Sequence, residues 1–175
     1  YFIYTSNVDG HFQRAGFDPD HVYECHGSIH HLQCTRECDG LWPADDVSVV
    51  VNAESIRAES TLPKCPSCGE LARPNILMFY DDYWNSSRTA RQRARMQSWL
   101  HEVEYGSWMA GKPNSTVVIL EFGAGTQIPT VRHACETRKG QLIRINPRDT
   151  SAPEDAIVLP IGAMEAIERI DSHIS

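Results

Sequence analysis

No apolar run in this chain approaches the length needed to cross a bilayer. Nothing at Tyr1-Phe2-Ile3-Tyr4 has the basic, then apolar, then small-residue order of a secretion signal. Positive charge is scarce as well, with 16 Lys and Arg against 23 Asp and Glu and a formal net charge of -7. These shortages point away from a membrane span, from an oxidising compartment and from bulk nucleic-acid binding, which wants a basic surface. The expectation is a soluble, cytoplasmic protein with reduced cysteines and no direct nucleic-acid or membrane partner. The one basic cluster, Arg88, Arg91, Arg93 and Arg95, lies on a predicted helix and reads as a solvated face rather than a phosphate site. With 41% hydrophobic residues over 175 positions, the chain can bury a real core.

What the chain does have is cysteine in close pairs. Cys34/Cys38 and Cys65/Cys68 are separated by three and two residues, spacings at which a short turn brings two thiolates onto one ion. Two such pairs make a closed tetrahedral zinc site. Cys65-Pro66-Ser67-Cys68-Gly69 also has the Pro and Gly of a zinc knuckle. Four thiolates leave no open position, so the zinc is expected to be structural. His30 and His31 lie close to Cys34 but read as ordinary strand residues. Cys25 and Cys135 sit in apolar settings and are expected to be buried and inert.

The rest of the chain alternates strand and helix. Short strands are expected at Tyr1 to Thr5 and Val22 to Cys25, each delivering a polar, glycine-containing loop, Ser6-Asn7-Val8-Asp9-Gly10 and His26-Gly27-Ser28. Val47 to Val51 is a β-prone run inside an acidic, irregular stretch. Ile76 to Tyr80 reads as a buried strand after a turn at Arg73-Pro74, and Arg88 to Tyr105 as a helix with Met96, Trp99, Leu100 and Val103 inward and Gly106 as its stop. Strands at Thr116 to Phe122, Gln141 to Ile145 and Ile157 to Leu159 alternate with helices at Thr130 to Thr137 and Gly162 to Ile170. The fold expected is α/β, part of a doubly wound parallel sheet of Rossmann-like type. Its domain would comprise residues 1–28 and 73–175, with a small zinc module at 29–72 inserted. Gly123-x-Gly125 fits either a phosphate or ribose contact or a plain tight turn, since the third glycine of a dinucleotide fingerprint would fall at Ile128.

Taken in order, Tyr4 to Gly10, Ala15-Gly16, His26-Gly27-Ser28, the four paired cysteines, Arg73-Pro74-Asn75 with Phe79, Gly125-Thr126 and Ile145-Asn146 resemble the sirtuins over nearly the whole chain. The resemblance implies an NAD-dependent protein-lysine deacylase that releases nicotinamide and acyl-ADP-ribose. It assigns the general base to His26, and the nicotinamide and its ribose to Asn7 and Asp9 beside Ser6. The ribose and adenine end of NAD would fall to Gly125, Thr126 and Asn146, and the acyl-lysine groove to Phe79. The partner implied is an acylated lysine of a protein or peptide. Three departures stand out. The family's Gly-Ala-Gly-Ile-Ser phosphate loop is absent, as if the sequence began inside the nucleotide-binding domain. Ser6 stands where the family usually has Gln, and Gln127 where it commonly has Ser. Two other functions stay open: ADP-ribosyl transfer or NAD hydrolysis on the same scaffold, and a non-catalytic zinc-stapled interaction module.

Overall fold

The computed structural model describes residues 1–38, 40–109 and 117–174. The chain divides into two compact units, Tyr1–Glu102 and Val103–Ser175. In the first, β1 (Ile3–Thr5) and β2 (Val22–Glu24) pair in parallel, Ile3 opposite Val22 and Thr5 opposite Glu24. A short helix α1 (His11–Arg14) and a 3-10 turn at Pro19–His21 connect them. All three residues of β2 are buried. Tyr23 and Cys25 pack with Met96, and Phe2, Tyr4 and Leu100 close the cluster.

The next strand, β3 (Gly27–Cys34), forms an antiparallel sheet with β4 (Trp42–Pro43) on one side and β5 (Ala72–Ile76) on the other. Pro74 lies inside β5, not in a turn before it, and is tolerated there because β5 is an edge strand with a register shift opposite. The apolar run Ile76 to Tyr80 is not a buried strand. Its pairing ends at Gly27 opposite Ile76, where β3 itself begins, so Leu77 to Tyr80 have no partner strand and lie exposed. Val47 to Val51 likewise forms no strand and keeps a single bridge, Val51 to Ala58.

Helix α2 (Ser87–Met109) starts where Asn85 Oδ1 accepts the Ser87 amide at 3.0 Å. Gly106 does not end it, since a glycine inside a helix costs only about 1 kcal/mol. Its buried stripe begins with polar residues, Thr89 and Gln92, before reaching Met96. The arginines are not a free solvated face: Arg88 pairs with Glu24, Arg93 donates to Tyr23 Oη at 3.3 Å and Arg95 to the Asp20 carbonyl at 3.2 Å.

In the second unit, β6 (Val118–Phe122), β7 (Gln141–Ile145) and β8 (Ile157–Leu159) form a parallel sheet in that order, with α3 (Thr130–Glu136) between β6 and β7. Thr116, expected to open β6, lies outside the described residues. Helix α4 (Ala163–Ile174) runs one turn beyond the expected end. Arg144 is fully buried, with Glu121 at 2.6 and 2.8 Å and Glu136 at 2.8 Å. A buried guanidinium survives only when it is paired in this way. Among the described residues, no helix is long and apolar enough to cross a membrane.

Candidate active site and metal centre

Parallel pairing of β1 with β2 sets the carboxyl ends of both strands side by side, at Thr5 and Glu24. The loops that leave these ends carry Asn7 and Asp9 on one side and His26 on the other. Backbone bonds lock them together: the Cys25 amide donates to Thr5 O at 2.9 Å and the Ile29 amide to Val8 O at 2.9 Å. A third segment joins at the same point, because the Leu77 amide donates to His26 O at 2.9 Å and so starts the exposed loop that carries Phe79. Cys25 and His26 occupy a turn rather than the end of a strand.

His26 is half-buried, and burial lowers its pKa below the usual 6.5. The imidazole is therefore neutral at physiological pH, as a general base must be. Cys25, in contrast, is buried in the core, and burial pushes its thiol up, so it is no nucleophile. Gly27 is required at the turn: its φ is +87°, and a Cβ would stand 2.0 Å from Asn75 O.

Around Asn7 the loop is shaped locally. The Asn7 amide donates to Thr5 Oγ1 at 3.0 Å, and Asp9 Oδ1 accepts the His11 amide at 3.0 Å. Asn7 itself is exposed, leaving its carboxamide open to a ligand. Ser6 is half-buried beside it. His30, which reads from sequence as an ordinary strand residue, bonds Asp9 O through Nε2 at 3.0 Å. Its ring also fills the space against Gly10, where a Cβ would come within 2.7 Å. The only sequence signal for this role is that His30 lies four residues from His26 on an alternating strand.

Phe79 is 77% exposed. Its loop is nonetheless braced, since Arg73 Nη2 reaches both Asp81 carboxylate oxygens at 2.8 Å and Nη1 donates to Ile76 O at 3.2 Å. Met78 N–H also donates to Asp81, at 3.3 Å. Nothing in the sequence marks Asp81 as the partner of Arg73. The same holds for the buried knot in which Gln33 Oε1 accepts from Asn75 Nδ2 at 2.8 Å and the Asn85 amide at 3.1 Å.

The four paired cysteines come together as the spacing implies. Their sulfurs lie within 4.8 Å of one another, and no other group of metal-ligating side chains assembles among the described residues. Cys34 ends β3, and the Arg36 amide donates to its sulfur at 3.3 Å. At Cys65, burial raises the thiol pKa, but hydrogen bonds from the amides of Cys68 and Ser67 outweigh it and bring the value to about 7. Cys38 goes the other way, pushed up to about 12, chiefly by the Cys68 and Cys34 sulfurs. Four thiols crowded this closely suit a divalent cation, which displaces their protons on binding. The four thiols are thus positioned to bind zinc, and neither His30 nor His31 belongs to the group.

In the second unit, the loop after β6 holds Gly125 and Thr126, both exposed. Asn146 is buried at the end of β7 and ties this loop down: its Nδ2 donates to Ala124 O at 3.2 Å, and its Oδ1 accepts the Arg148 and Asp149 amides, each at 3.0 Å. Arg132, buried on α3, donates to Ala124 O at 3.3 Å in the same loop and to Asp149 O at 2.7 Å in the loop after β7. Gln127 lies exposed within it. Cys135 is held as a thiol at about 12, by burial and by Glu121.

The Sir2 family model matches residues 1–100, more than half of the chain. The protein belongs to the Sir2 family. An NAD-dependent protein deacylase of Thermococcus sibiricus is 35% identical to this sirtuin over 77 residues, which is 44% of this chain and 28% of that protein. A probable bifunctional ADP-ribose hydrolase/ADP-ribosyltransferase of Fusarium oxysporum f. sp. cubense is 28% identical over 138 residues, 74% of this chain and 22% of that protein. Among solved structures, a Sir2 homolog in complex with NAD superposes with a TM-score of 0.62 at 24% identity, covering 99% of this chain and 58% of that one. The sirtuin chain therefore spans about a quarter of the length of these curated relatives.

Proposed function

We propose that this chain forms the reacting end of an NAD-dependent protein-lysine deacylase together with its structural zinc. The observation that carries this reading is the convergence at His26, in a Sir2-family chain, of the Asn7–Asp9 loop and the Phe79 loop. Bound NAD would supply the ribose carbon that accepts the acyl oxygen as nicotinamide leaves. His26, kept neutral by burial, takes the proton from a ribose hydroxyl. Asn7, Asp9 and Ser6 line the nicotinamide end, and Asp9 is held in place through its carbonyl by His30. Gly125 and Thr126 serve the ribose and adenine end, on a loop that the buried Asn146 ties down. Phe79, presented outward on a braced loop, meets the acyl-lysine of a protein or peptide. Residues 29–72 act as the zinc module of a domain made of residues 1–28 and 73–175, and the protein works in the cytoplasm.

ADP-ribosyl transfer is the second reading. It is favoured by the Fusarium relative, whose alignment extends over 74% of this chain against 44% for the deacylase, and by the short Ser6 at the nicotinamide loop. Mass-spectrometric product analysis with NAD and an acetyl-lysine peptide separates the two. Acyl-ADP-ribose that requires both peptide and His26, and disappears in His26→Ala with the fold and bound zinc retained, is the expected result. ADP-ribosylated protein or free ADP-ribose formed without peptide would overturn it.

A further inference from the structure

Between the two cysteine pairs in the sequence lies a small hairpin that belongs to none of the three sheets. The Glu59 amide donates to Val50 O at 2.8 Å and the Asn52 amide to Arg57 O at 2.9 Å. These two bonds make Val51 and Ala58 the non-hydrogen-bonded pair between them. In such a pair, N–H and C=O point away from the partner strand, so the peptide groups of Val51 face outward, and by alternation so do those of Val49. Among the described residues, no hydrogen bond uses the amide of Val49 or of Val51. The turn is ordered all the same. Asn52 Oδ1 accepts the Glu54 and Ser55 amides at 3.0 and 2.8 Å, and its Nδ2 donates to Glu59 at 2.7 Å.

This open edge is apolar and bordered by acid. Val49, Val50 and Val51 are 37%, 56% and 53% exposed. Asp45, Asp46 and Glu54 flank them and form no ion pair among the described residues, and Arg57 is the only cation in the stretch 44–60. Pairing with a second copy of the same edge would match valine to valine but bring like charges together. We propose that the outer edge of this hairpin takes an extended, lysine- or arginine-bearing segment of a partner protein by strand addition. Main-chain bonds to Val49 and Val51 supply affinity, while Asp45, Asp46 and Glu54 select cationic side chains. The surface does not use His26, and the proposal does not depend on the deacylase reading.

Fluorescence anisotropy on the zinc-loaded chain tests this with a labelled peptide of alternating valine and lysine and its valine-glutamate counterpart. The lysine peptide binds, the glutamate peptide does not, and affinity falls as salt rises. The double variant D45K/D46K weakens binding roughly tenfold. Val51→Pro, which deletes an outward N–H at an exposed position, weakens it too. Hydrogen exchange on the unmodified protein gives a readout that needs no variant, since the Val49 and Val51 amides become protected when the lysine peptide is added. Equal binding of both peptides, unchanged affinity in D45K/D46K, or protection confined to other strands overturns the proposal. Dimerisation that protects the same two amides without peptide overturns it as well, because the edge then belongs to a second copy.

Discussion

Burial is the single cause of the lowered pKa at His26; no neighbouring charge contributes. Burial penalises the imidazolium, so the base form persists to the acid side of the ordinary value of 6.5. If His26 is the general base, the acid limb of the pH profile of kcat/KM falls below pH 6.5, and the enzyme keeps most of its activity at that pH. A limb above 6.5 would mean that the titrating group is not an imidazole whose charged form burial disfavours, and the base would have to be sought elsewhere. Local pattern placed Asn7, Asp9 and His26 in short polar loops after apolar runs, but it was the resemblance to the sirtuins that singled these residues out. His30 was not legible. Its contact with Asp9 spans 21 positions and depends on how far β3 carries its side chains past the neighbouring loop, which no local pattern encodes.

The elements were legible where a single partner decides them. Strands β2, β7 and β8 fall within a residue of expectation and β1 within two, because apolar stretches of three to five residues between glycine or polar turns have few other uses. The run Ile76 to Tyr80 misled for the opposite reason. Its residues are apolar enough for a buried strand, but β3 offers no backbone beyond Gly27, and the Arg73–Asp81 pair turns the chain outward. Tyr80 completes that turn at φ +57° with its side chain fully exposed. A tyrosine held there gives up roughly 1–2 kcal/mol, of which glycine would recover part after its own greater loss of freedom on folding. Tyr80→Gly is therefore expected to raise stability by about 0.5–1 kcal/mol, read as a higher urea midpoint at unchanged m-value. Under the proposed function it also raises KM for the acyl peptide, because the aromatic tip next to Phe79 is lost. A variant that is less stable would show that the ring supports the loop.

At the scale of the whole molecule, two compact units in one chain predict unfolding that is not two-state. All four clustered cysteines belong to the unit 1–102. Removing zinc with a chelator should lower the thermal transition of that unit, with loss of exchange protection at Gln33, Cys34 and Ala72, the ends of β3 and β5 that the metal would hold in register. Cys65→Ser should give the same result without chelator, and a variant as stable as the unmodified protein would contradict a structural metal. The cysteine spacing announced this centre because a tetrahedral ion imposes the same short separations wherever it is bound. The buried Arg144 with Glu121 and Glu136 announced nothing, since its members lie 23 and 8 positions apart and look like ordinary surface charges until the sheet closes over them. The metal centre also sets what can change over evolutionary time. Cys38 and Cys65 bracket residues 39–64, so a bound ion pins both ends of a loop whose closure costs only about 0.6 kcal/mol more for each doubling of length. Insertions, deletions and drift in that loop can accumulate at small cost while the turn at His26 stays fixed.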